Sequence, residues 1–223
     1  MVCAEDEIGL GDSHDGIMVL DKNIKPGTPI SEVFNIENDN ILEIGLTPNR
    51  CDAMSHYGVA RDLKAYYDYK SIKSRINLPS INSFESVNIE EDFNLDIIDK
   101  EKCPFYSGLI IKDIKVKKSS DKLQNKLKSI GLKPINNIVD ITNFVMHEIG
   151  QPLHAFDFDK LKNINVKSLK SGTKFKTLDD EIIELNSDDL MICSENKPLC
   201  IAGIYGGLAV SYTHLTLPTI LLV

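Results

Sequence analysis

The 223-residue sequence has no run of about 18 apolar residues, the length a helix needs to cross a bilayer. Even its apolar close, Gly206 to Val223, is interrupted by Tyr212, Thr213, His214, Thr216 and Thr219. No membrane partner is expected. The opening "MVCAEDEIGLG" has acids where a secretion signal needs bases, and no apolar segment behind them. The five cysteines, at 3, 51, 103, 193 and 200, include no C-x-x-C pair, and the histidines form no ligand run. No metal site is therefore expected, and the scattered thiols suit a reducing, cytoplasmic compartment. An excess of positive charge is also lacking. The net charge is −8, whereas a protein that holds RNA by its own phosphate contacts is usually basic. The chain is thus either no strong nucleic-acid binder or the carrier of a local basic face. P-loop, G-x-G-x-x-G, G-x-S-x-G and H-E-x-x-H motifs are absent, as are internal repeats and low-complexity tracts.

What is present is ordinary for a globular protein: 42% hydrophobic and 26% charged residues. That length and composition allow one or two domains with a real core. The first 35 residues read as short pieces: a strand at "GIMVL" (16–20), a turn at "KPGTP" (25–29) and one helical turn at "ISEVF". "ILEIGL" (41–46) predicts a buried strand, which Pro48 of "TPNR" ends. A helix follows, capped by Asp52 or Ser55, with Val59, Leu63, Tyr66 and Tyr67 at helical spacing. Gly58 inside it marks either a close backbone approach or a tolerated weak spot. Residues 71–86 read as a linker running into an acidic segment, with a strand at "LDII".

The second half is better patterned. "PFYSGLIIKDI" (104–114) predicts a strand. "SSDKLQNKLKSIG" predicts a helix opened by Ser119 or Ser120, lined by Leu123, Leu127 and Ile130, and stopped by Gly131. Lysines 112, 115, 117, 118, 122, 126, 128 and 133 make the one basic neighbourhood, either a solvated face or a phosphate-facing patch. In "PINNIVDITNFVMHEIGQP", Ile138, Ile141, Val145 and Ile149 form an apolar stripe. Asn136, Asp140, Asn143 and His147 share the other face, either facing water or bonding a neighbouring loop. Strands are expected at "INV", "GTKFKTL", "IIEL", "DLMICS" and "PLCIAGIYGG", with a hairpin turn at "LDDE". The fold class is α+β, helices first and an antiparallel-type sheet after. His154, in a loop just past the helix, and the glycine turn at Gly203, Gly206 and Gly207 outline a possible ligand site.

Two long runs, "LEIGLTPNRCDAMSHYGVARDL" and "INNIVDITNFVMHEIGQPLHAFDFDKL", resemble the β-subunit family of bacterial phenylalanyl-tRNA synthetases. "MVCAEDEIGLGDSHDGIMVL" is similar to the end of that family's OB-type tRNA-binding domain, and "LMICSENKPLCIAGIYGG" to its B3/B4 editing region. The resemblance implies an incomplete multidomain piece: 1–20 an OB remnant, 21–75 part of the B1 domain, 76–103 a linker, and 104–207 part of B3/B4. Met1 is then an internal methionine of a longer protein. Residues 208–223 are expected to be a foreign tail, since "VSYTHLTLPT" looks like a translated transposase sequencing adapter.

The same resemblance implies membership of a phenylalanine–tRNA ligase that uses ATP and Mg2+, with neither expected on this chain. Its partners would be an α subunit, in an α2β2 heterotetramer, and tRNA(Phe). The B3/B4 region of the family hydrolyses tyrosine wrongly joined to that tRNA. Such a second site is needed because an apolar pocket rejects an added hydroxyl only by about 100-fold. His154, Gly206 and Gly207 are the implied editing residues: His154 orienting ribose, ester or water, and the glycines forming a wall and offering amides. A glutamate and a threonine-alanine segment of the family's pocket have no counterpart before Gly207. Activity of this chain alone is therefore not expected, and a tRNA-binding or structural piece without chemistry is the alternative. A free-standing editing hydrolase is a third reading, disfavoured by "LTPNR" and the OB remnant. Arg50 and Arg61 are expected in intersubunit or intradomain ion pairs.

Overall fold

The computed structural model describes residues 3–11, 13–34, 40–85, 93–207 and 219–222. The chain divides into two compact units, Met1–Glu43 and Ile44–Val223. In the first, a 3-10 turn (Asp6–Ile8) and the short helix α1 (Ile30–Val33) are the regular elements among the described residues. The strand expected at "GIMVL" does not form: Met18 N–H reaches the Cys3 carbonyl at 2.9 Å, but no ladder follows. "ILEIGL" is likewise not a strand, and Ile41, Leu42 and Ile44 are exposed. Apolar runs become strands only beside a partner, and none pairs with these among the described residues.

The second unit opens with a 3-10 turn (Cys51–Ala53) and helix α2 (His56–Tyr69). Of the two candidate caps, Ser55 does the work, its hydroxyl accepting from Gly58 N–H at 2.9 Å. Gly58 marks a close approach: a Cβ there would sit 2.6 Å from Ala53 Cα. Arg50 ties the "TPNR" turn to α2, reaching Asp62 at 2.7 Å and Asp52 at 3.0 Å, while Arg61 reaches Asp52 at 3.1 Å. The hydrogen bond from Arg50 holds the Asp52 carboxyl below its ordinary range. Both arginines thus pair within the unit.

Helix α3 (Asp121–Ser129) is capped by Ser120 and helix α4 (Asn137–Ile149) by Asn136, whose side chain accepts from the Ile138 and Val139 amides. Gly150 ends α4 at a φ of 82°, where any other residue is strained. The expected faces of α4 are partly inverted. Ile141 and Ile149 are exposed, whereas Asp140 is buried. Its carboxylate accepts from Ser119 Oγ at 2.5 Å and from Ile135 N–H at 2.8 Å. Two good hydrogen bonds offset its desolvation, so a charged residue outranks an isoleucine for the inner face.

The described residues form ten strands: β1 (Asn94–Ile97), β2 (Gly108–Ile111), β3 (His154–Asp157), β4 (Asn163–Ser168), β5 (Lys174–Lys176), β6 (Ile182–Glu184), β7 (Leu190–Ser194), β8 (Lys197–Ile201), β9 (Tyr205–Gly206) and β10 (Thr219–Leu222), of which β3 and β10 fall where the sequence predicts no strand. The main sheet runs β1-β4-β7-β8-β9 and is antiparallel except for the parallel pair β1–β4. A second sheet runs β2-β10-β3, and β5–β6 form a hairpin. The "PFYSGLIIKDI" strand is only Gly108–Ile111 long. Of the expected tail, residues 208–218 and 223 lie outside the described residues, while 219–222 form β10.

The main sheet is buried on both faces. Phe156 of β3 packs on Ile164, Val166, Ile192, Leu199 and Cys200. On the other face Phe175 and Leu185 cover Met191 and Cys193. Period-two alternation in β7 accounts for this, Ile192 pointing one way and its neighbours the other. No helix among the described residues is long and apolar enough to cross a membrane.

Candidate functional site

A cavity of about 430 Å3 lies between one side of α4, the start of β3 and the turn from Gly203 to Gly206. Ile135, Val139, Met146, Leu153, Leu178 and Ile204 give it an apolar lining. Thr142, Asn143, His154 and Tyr205 are the residues with polar side chains in its wall. That size and mixture suit a small organic group oriented by a few polar contacts. Among the described residues no carboxylate lines it.

His154 is the first residue of strand β3 and is buried, where the sequence suggests a loop histidine. Strand pairing fixes its backbone, and its ring stacks on Phe156 with centroids 6.3 Å apart. Its Nε2 accepts from Gly203 N–H at 3.0 Å. That bond settles the neutral tautomer: the proton sits on Nδ1, and Nε2 is engaged. Burial lowers the imidazole pKa, which further favours the neutral ring. The group is therefore built to donate from Nδ1 rather than to take a proton at Nε2. Gly203, at a φ of 69°, lets the turn aim its amide at the ring.

Gly206 lines the cavity beside His154. Gly207 does not, and packs one step behind. Its N–H donates to the Leu199 carbonyl at 2.8 Å, and a Cβ there would meet the Phe175 ring at 2.7 Å. Its amide serves the sheet, so the wall is formed by Gly206 and its neighbours Tyr205 and Ile204. The Tyr205 hydroxyl donates to the Asp179 carboxylate, and Leu178 N–H donates to the Gly206 carbonyl at 3.3 Å. These two bonds tie the β5–β6 turn to the glycine turn.

Thr142, Asn143, Met146 and Tyr205 are wall residues that sequence reasoning did not single out as a site. A signal exists in retrospect. Ile135, Val139, Thr142 and Met146 follow one another at four, three and four residues, a helical stripe of mixed polarity. A core stripe would be wholly apolar, and a wet one wholly polar. Among the described residues no cluster of His, Cys, Asp and Glu could hold a metal ion.

The family model for the B3/4 domain matches residues 102–222, more than half of the chain, and the chain belongs to that family. Its relatives are more particular. It is 48% identical to the phenylalanine–tRNA ligase beta subunit of Bacteroides fragilis, over 97% of this chain and 27% of that protein. The corresponding proteins of Porphyromonas gingivalis and Salinibacter ruber are 46% and 43% identical, over 97% and 93% of this chain and 27% and 25% of theirs. The chain thus spans about a quarter of the length of the curated relatives it matches. A solved N-terminal fragment of the phenylalanyl-tRNA synthetase beta-subunit from Pyrococcus horikoshii is similar at 18% identity and a TM-score of 0.43, covering 78% of this chain and 52% of that one.

Proposed function

We propose that this chain supplies part of the editing site of a phenylalanine–tRNA ligase β subunit, receiving the aminoacyl end of tRNA(Phe) mischarged with tyrosine. The observation that carries this reading is the cavity in which a neutral His154 with a fixed tautomer stands beside the Gly203–Gly206 turn. The apolar lining would take the aromatic ring. The reaction adds water to the acyl carbonyl, breaks the ester bond to ribose and returns a proton to the ribose oxygen. His154, donating from Nδ1, would orient the ribose, the ester or the water, and is no general base through Nε2. Within that reading the partners are the α subunit, in an α2β2 assembly, and tRNA(Phe), in the cytoplasm. ATP and Mg2+ would serve amino-acid activation on the α subunit, and no residue of this chain is assigned to them.

Two observations favour a second reading, a tRNA-binding or structural role without chemistry. No carboxylate among the described residues lines the cavity, and Nε2 of His154 is engaged by Gly203. Deacylation of Tyr-tRNA(Phe) separates the two. The complete β subunit with its α partner should hydrolyse the ester, and this chain alone should not; substantial hydrolysis by the isolated chain would show that nothing essential is missing. Placed in the complete enzyme, His154→Ala should weaken editing and leave phenylalanine activation within about twofold, since the change removes one positioning contact. A large loss of activation would remove the editing assignment.

A further inference from the structure

The lysine-rich segment stands apart from the rest of this acidic protein. Residues 112–133 hold eight lysines against Asp113 and Asp121, leaving 17 basic and 31 acidic residues elsewhere. Lys115, Lys117, Lys118, Lys122, Lys126 and Lys128 are all exposed. A merely solvated helix face in a protein of net charge −8 would be expected to draw some of the surplus carboxylates, yet none of the described residues forms an ion pair with these six.

The segment is also held firmly. Asn137, at the start of α4, clamps it three times: its N–H donates to the Lys117 carbonyl at 2.8 Å, its Nδ2 to the Lys115 carbonyl at 3.1 Å, and its Oδ1 accepts from Lys117 N–H at 3.0 Å. Asp140 holds Ser119, and Gln124 Nε2 donates to the Ser119 carbonyl at 2.6 Å. Lys126 lies over the Phe144 ring, 5.2 Å from its centroid, next in sequence to Asn143 of the cavity wall. Thus α4 carries the cavity on one side and on another anchors the backbone of a lysine-rich segment whose six exposed ammonium groups have no ion-pair partner among the described residues.

We infer that this lysine edge is a docking surface for the phosphate backbone of an RNA whose end enters the cavity. The inference rests on the proposed function for its direction, and on charge and anchoring for its location. Phosphates at this edge would replace condensed counterions, so affinity should fall steeply with salt.

The experiment uses the full chain and a fluorescein-labelled RNA minihelix with a four-nucleotide single-stranded 3′ end. Binding is titrated at several salt concentrations. The wild type should bind at low salt, with log affinity linear in log salt. Replacing Lys117, Lys118, Lys122 and Lys128 by Gln should weaken binding about tenfold or more at about 0.1 M salt and flatten the slope by about 3. Arg at the same four positions should restore both. An absent wild-type complex, an unchanged affinity in the Gln variant, or equal competition by polyglutamate, the sign of an acidic protein partner, each overturns the proposal. Deacylation of Tyr-tRNA(Phe) by the complete enzyme separates the two readings, because the lysine edge is read by RNA affinity and its salt slope and the editing role by hydrolysis. RNA affinity that keeps its lysine dependence while editing proves absent would sink the editing role alone.

Discussion

In the unit Met1–Glu43, Ile17 and Val19 stand 60% and 85% exposed, and Ala4 is the one apolar residue fully inside among those described. In the sheet of the second unit, Ile164, Val166 and Ile192 are wholly removed from water. The residue types are the same, so hydrophobicity does not separate the two regions. Partner surface does. A β-branched side chain contributes about 1.5–3 kcal/mol only when something covers it, and the sheet offers cover on both faces through β3 and the β5–β6 hairpin. Regular structure then follows burial, ten strands in one unit and a single helical turn of α-type in the other among the described residues.

The widest test of that contrast is truncation of matched side chains. Ile192→Ala should cost about 2–5 kcal/mol, whereas Val19→Ala should stay within about 0.5, both read by urea unfolding. Hydrogen exchange sharpens it: amides of β4, β7 and β8 should be protected far longer than those of the first unit, and equal protection would break the comparison. Next in size is Asp140→Ala, which leaves Ser119 and the Ile135 amide without their acceptor. A loss of about 1–3 kcal/mol is expected, with accelerated proteolysis near 117–120. Ser55→Ala should cost about 1 kcal/mol by uncapping α2, and Ser55→Asp should recover most of it.

The smallest effect is a pH dependence carried by His154. Its folded pKa lies below the ordinary value, so between that depressed value and about 6.5 the unfolded chain binds more protons than the folded one. Stability should therefore be complete above about 6.5 and decline as pH falls through this window. His154→Gln should flatten that decline, and an unchanged profile would show that another group carries it.

Legibility followed the same division. The later strands were readable because alternation and turn residues agree with what packing requires, as in "DLMICS", "PLCIAGIYGG" and the "LDDE" hairpin. Ser120 and Gly150 also announce helix ends, since caps act through local bonds, whereas Asn136, expected on the polar face of α4, turns out to be its cap. "GIMVL" and "ILEIGL" mislead because a strand's existence depends on a partner that lies elsewhere. The apolar stripe of α4 misleads for a related reason, while the alternative that its polar face bonds a neighbouring loop holds for Asp140. Nothing in the local pattern says that Ser119, 21 residues earlier, waits to receive Asp140. Of the site, His154 and Gly206 could be named from the sequence, but the roles of Gly203 and Gly207 depend on which amide points at the ring and which at Leu199.

The parallel pairing of β1 with β4 encloses residues 98–162, a stretch that contains α3, α4, β2 and β3. Its two ends are laced together by backbone bonds such as Ile98 N–H to the Val166 carbonyl at 2.9 Å. The stretch therefore behaves as a clasped loop rather than an open arm. A protease that cuts once at the exposed turn around Asp113 would sever the chain without freeing either piece. The two fragments would travel together in native buffer and separate only in denaturant, so the cut form could pass for intact protein until it is unfolded.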